Sequence, residues 1–120
     1  MARDDAHKDR YVQRRRRALL IVGTFGGTFL VEFEWDEIKR QRILAMRGLD
    51  FVVAHVLFDG RPLLTAPSPR STEERWLSIG EVNGVFLATI WTWRDERIRI
   101  ITMRRARDGE KREYQALYGP

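Results

Sequence analysis

Cysteine is absent from the 120 residues, which excludes a disulfide scaffold and any thiolate zinc site. Histidine is scarce, with only His7 and His55, too little for a His-based metal centre. No stretch offers the ~20 apolar residues that a membrane span needs. Residues 18–31 are uncharged, but Gly23, Gly26 and Gly27 interrupt them. A phosphate-cradling Gly-rich loop after a strand, Gly-x-Ser-x-Gly and His-Glu-x-x-His are all missing. The residues therefore point to no metal and no cofactor.

What is present suits one folded domain. Hydrophobic residues make up 43% and aromatics 11%, with four Trp, which excludes a disordered chain of low hydrophobicity. Lys and Arg number 22 against 17 Asp and Glu, a net charge of +5. A basic balance suggests a polyanionic partner. The excess is uneven: residues 1–17 hold seven basic and three acidic groups, so residues 32–120 net only +1. Eight basic and five acidic groups then gather in residues 94–120.

The basic run Arg14-Arg15-Arg16-Arg17 followed by an apolar run resembles the start of an export signal. The glycine interruptions, the lack of a small-x-small cleavage site and the onset of a domain at Glu32-Phe33-Glu34-Trp35-Asp36 argue against it. Residues 1–30 read instead as an extension outside the core fold, loosely ordered or forming a Gly-broken hairpin against the sheet. The domain proper is residues 31–120.

Phe29, Val31, Phe33 and Trp35 alternate onto one face of a strand. Asp36 caps a helix ending near Arg47, and Gly48 sits where a left-handed cap is expected. Asp50 caps a second helix carrying Phe51, Ala54, Leu57 and Phe58. Pro62, Pro67 and Pro69 mark an edge strand or extended loop. Three strands follow, over 75–81, 85–94 and 97–106, joined by the hairpin signal Asn83-Gly84 and by Asp95-Glu96. A last helix covers 109–117. The predicted fold class is α+β, a single antiparallel β-sheet with two N-terminal helices and one C-terminal helix packed against it.

The chemistry on offer is arginine on a scaffold. Arg75, Arg94, Arg97, Arg99, Arg104 and Arg105 lie on or beside the last three strands. Strict alternation places Arg97, Arg99 and Arg105 on one face and Arg104 on the other. The arginine fork matches phosphate oxygens. Trp76, Trp91 and Trp93 are candidate base-stacking groups, although strand Trp more often belongs to a core. Glu73 and Glu74 read as a solvated pair, His55 as a structural group and His7 as idle.

The ordered set Phe33-Glu34-Trp35-Asp36, Lys39, Gly48, Phe51, Leu57-Phe58-Asp59, Glu74-Arg75, Ile79-Gly80, Arg94, Ile98-Arg99-Ile100-Ile101, Arg104-Arg105-Ala106 and Glu110 to Tyr114 resembles the BrnT family. These are toxins of type II toxin–antitoxin pairs. The resemblance covers about residues 33–114. It implies a RelE-like fold and a metal-independent endoribonuclease that cleaves RNA in the cytoplasm and inhibits translation. It implies a BrnA-type antitoxin as partner in a hetero-oligomer, with operator DNA bound only through the antitoxin and no membrane involved. Carried over by position, Lys39, Arg75, Arg94, Arg104 and Tyr114 form the candidate active surface, with Lys39, Arg75, Arg104 and Tyr114 taken as catalytic and Arg94 as RNA-binding; the strand arginines Arg99 and Arg105 join Arg94 as RNA-binding candidates. Ile43 stands where the family usually has Asn, Met46-Arg47 where it has Lys-His, and Thr102-Met103 where it has Ser-Ala. A degenerate, non-catalytic module that binds nucleic acid or antitoxin is the alternative. In the catalytic reading the RNA 2′-hydroxyl is the nucleophile. Arg cannot serve as base, so Lys39, Glu74 and Tyr114 are the candidate proton carriers.

Overall fold

A computed structural model describes residues 12–22, 27–68 and 74–119, with the backbone path alone before residue 31. His7 and Glu73 lie outside the described residues. The strands are β1 (Val12–Val22), β2 (Gly27–Asp36), β3 (Leu64–Pro67), β4 (Trp76–Val82), β5 (Val85–Arg94) and β6 (Arg97–Arg105). The helices are α1 (Glu37–Arg47), α2 (Ala54–Leu57), which continues a 3₁₀ turn at Phe51–Val53, and α3 (Asp108–Tyr118).

Local signals account for the element ends. The Asp36 carboxylate accepts the backbone N–H of Ile38 and Lys39 and starts α1. Gly48, at φ 71, closes it in the left-handed region with its N–H on the Leu44 carbonyl. Asp50 caps the 3₁₀ turn through Val52 N–H. Asn83 (φ 51) and Gly84 (φ 82) make the two-residue turn between β4 and β5.

The six strands form one sheet in the order β1-β2-β6-β5-β4-β3. The expectation of a purely antiparallel sheet is corrected: β2 and β6 pair in parallel, Glu32 to Trp35 against Arg97 to Ile100. Two helices, β3 and the β4–β5 hairpin separate these strands in sequence, so no tight turn fixes their relative direction. β1 pairs antiparallel with the other side of β2.

The sheet is covered on both faces. On one, Phe33, Trp35, Leu87, Trp91, Ile98, Ile100 and Met103 pack with Ile43 of α1 and with Phe51, Ala54 and Leu57. Gly80 of β4 lies so close to this layer that a Cβ there would sit 2.7 and 2.8 Å from the Leu63 and Leu57 methyls. On the other face, Tyr114 of α3 packs with Ile79 and Ala88. No helix among the described residues is long and apolar enough to cross a membrane.

One irregularity decides where the arginines point. Ile90 pairs with Thr102, but Trp91 pairs with Ile100. Ile101 is therefore an extra residue, a β-bulge that resets the alternation of β6. Arg104 joins Arg97 and Arg99 on the α3 face, and Arg105 is turned to the opposite one. The arrangement expected from strict alternation is thus reversed for both residues.

Candidate nucleic-acid interface

Two adjoining hollows open on the α3 side of the sheet, and both are lined by Lys39, Arg75 and Ile101. The smaller, about 260 Å³, adds Asp36, Arg94 and Arg99. The larger, about 600 Å³, adds Arg47, Arg104, Arg107 and Glu110 around Leu77, Ile90 and Thr102. Lys39 enters from the first turn of α1, Arg75 precedes β4, Arg94 ends β5, and Arg99 and Arg104 project from β6 on either side of the bulge. Five of the seven site residues expected from sequence thus line one cleft: Lys39, Arg75, Arg94, Arg99 and Arg104.

The other two lie elsewhere. Tyr114 is buried in the α3 layer, edge-on to Phe86, and its hydroxyl donates to the Pro62 carbonyl at 3.3 Å. Burial raises its pKa. Arg105 is exposed on the far face. Trp91 is buried and donates to Ser78 Oγ, with Trp76 tilted against it. Trp93, at 46%, is the exposed one of these three. Glu74 is exposed.

Carboxylates hold several of the arginines. Glu34, 2% exposed, accepts from Arg97 Nε at 2.6 Å and from Arg99 Nη1 at 2.8 Å across the parallel seam. Burial pushes the Glu34 carboxyl up, but hydrogen bonds from Arg99 and Arg97 and their charges outweigh it, leaving the pKa below its ordinary value. Glu110 takes both Nη atoms of Arg104, at 2.8 and 2.9 Å. The same carboxylate accepts the Arg107 N–H that begins α3. The Arg104 bond chiefly lowers the Glu110 pKa. Lys39 differs: burial first, then the Arg75 charge, lowers its ammonium pKa, with Arg42 and Arg47 adding to this and Asp36 opposing it.

Sequence reasoning gave no role to Glu110, Arg47 or Asp36 as parts of the site. Glu110 had a legible signal, a Glu three residues after the residue that precedes a helix. Arg47, which donates to the Met103 carbonyl at 2.7 Å, had none, because the contact spans two distant elements. Among the described residues no three His, Asp or Glu groups cluster as a metal site.

The fold and cleft define a small α+β protein with a cationic groove on a mixed sheet. Residues 35–110 match the family described as the ribonuclease toxin, BrnT, of type II toxin–antitoxin systems. The chain belongs to this family. No match was found among curated proteins.

Proposed function

We propose that the domain at residues 31–120 is a metal-independent endoribonuclease with a RelE-like arrangement, which acts on RNA in the cytoplasm and halts translation. A BrnA-type antitoxin neutralises it and carries the operator-binding part of the complex. The observation that carries this reading is the convergence of Lys39, Arg75, Arg94, Arg99 and Arg104 on one cleft from four separate segments.

A phosphodiester in the cleft meets arginine forks suited to its non-bridging oxygens. The RNA 2′-oxygen attacks phosphorus and the bond to the 5′-oxygen breaks. The products are a 2′,3′-cyclic phosphate and a 5′-hydroxyl. Lys39, with its lowered pKa, takes the proton of the 2′-hydroxyl, and the leaving oxygen takes one from water. The arginines stabilise the charge that builds on phosphorus oxygens, with Arg104 first among them. Tyr114, the remaining catalytic candidate, supports the site from the α3 layer.

Arg104→Ala should lose about 10²–10³-fold in cleavage rate, measured on purified RNA in EDTA with folding checked by circular dichroism. Cleavage at the parent rate would remove Arg104 from its role. The Arg104–Glu110 pair favours one other reading, a non-catalytic module whose cations are already matched. RNA binding that falls with salt, with no product from the parent chain, would establish that reading instead.

A further inference from the structure

Cross-strand register divides the α3 face of the sheet into rows. Thr92 and Arg99 form one row, Leu77, Ile90 and Thr102 the next, and Ile79, Ala88 and Arg104 a third. Successive rows on one face lie roughly 7 Å apart. α3 covers the third row through Tyr114. The middle row is only partly buried and forms the floor of the larger hollow, with Ile101 beside it. A strip three strands wide, apolar at Leu77 and Ile90 and ending on Thr102, therefore lies between Arg99 on one side and Arg104 on the other, with Lys39 and Arg75 at its rim.

A cleft that bound phosphate alone would have no use for this floor. Resting on the reading of the cleft as an RNA site, we infer that the Leu77–Ile90–Thr102 row takes an unstacked nucleobase. The cations on either side hold the phosphates that flank that nucleotide. The substrate class is single-stranded RNA, because a base inside an A-form duplex cannot reach a recessed floor while its phosphates meet the rim. Apolar and stacking contacts of this kind tolerate different bases, so sequence preference should be weak.

The test uses three labelled ten-nucleotide probes of 2′-fluoro chemistry, which keeps A-form geometry in a duplex and cannot react through a 2′-oxygen: a single strand, its duplex, and an abasic strand with the same charge as the single strand. On the parent chain the base-bearing single strand should bind about tenfold tighter than either other probe at equal salt. Ile90→Ser should bring the single-strand and abasic affinities together, and Leu77→Ser should do the same. Equal affinity of the parent for base-bearing and abasic strands would overturn the inference, and this comparison needs no variant to fold. A parent chain that sediments as a dimer, separated by Ile90→Ser, would assign the row to a second copy and also overturn it. Base preference without RNA cleavage would count against the ribonuclease reading alone. Cleavage without base preference would count against this inference alone.

Discussion

The surroundings of Lys39 change its chemistry. An ammonium half-buried beside Arg75 loses its proton more readily than one in water. The pH dependence of cleavage should therefore rise through an inflection below the ordinary lysine range. Arg75→Gln should move that inflection upward, since a neighbouring positive charge is removed; an unmoved profile would exclude Lys39 as the base. The Glu34 shift has the same direction but favours the charged form, where the Lys39 shift disfavours it. Its folded-state pKa is depressed, so its stabilising effect is present above the unfolded carboxylate pKa. That effect is lost as pH falls through the folded value. Glu34→Gln should cost about 2 kcal/mol in urea unfolding at neutral pH, and the gap from the parent should close in acid. Thr89 offers a gain. Its hydroxyl is buried with no hydrogen-bond partner among the described residues. Thr89→Val keeps the shape and should raise the melting temperature, by about 1 kcal/mol in stability.

At the scale of elements, α1 joins stability to the site, because the cap at its start also positions Lys39. Asp36→Ala should cost about 1 kcal/mol. It should weaken cleavage more than a change of similar cost that touches neither hollow, such as Gly84→Ala at φ 82 in the β4–β5 turn, and chemical denaturation beside single-turnover rates would separate the two effects. Element ends like these were legible in the sequence because each is set within three or four residues: Asp36, Gly48, Asp50 and Asn83-Gly84 all act locally. The parallel pairing of β2 with β6 was not legible, since hydrophobic alternation is the same in either direction. Nor was the bulge at Ile101, where Arg-Ile-Arg-Ile-Ile gives no sign of which residue is extra. That single residue decides whether Arg104 or Arg105 faces the cleft. The cleft's cations were therefore recognisable one by one, while their grouping, and the carboxylates that hold them, depended on register.

At the scale of the whole molecule, the charge excess lies mostly in residues 1–17, and residues 32–120 net only +1, so the cleft is a local cationic patch on a nearly neutral stretch of chain. RNA affinity should fall with salt at a log–log slope of roughly −2, corresponding to about three neutralised phosphates on a single strand. The slope, read by titration, should steepen only where residues 1–17 add their own contacts. β1 covers the outer edge of β2. A chain beginning at residue 27 leaves that edge bare and should self-associate, as light scattering would register, while the cleft residues remain.

The parallel seam also sets an order of events. β4, β5 and β6 are joined by two-residue turns, whereas Glu34 and Arg97 lie 63 positions apart in the chain. Closing the longer loop carries the larger entropic cost, so the meander should form early and β2 should join it late. Glu34→Gln should then speed unfolding more than it slows folding, visible in the two limbs of a chevron plot. Arg99 takes its place only when that seam closes. A chain in which that seam is still open has the arginines but not the finished cleft.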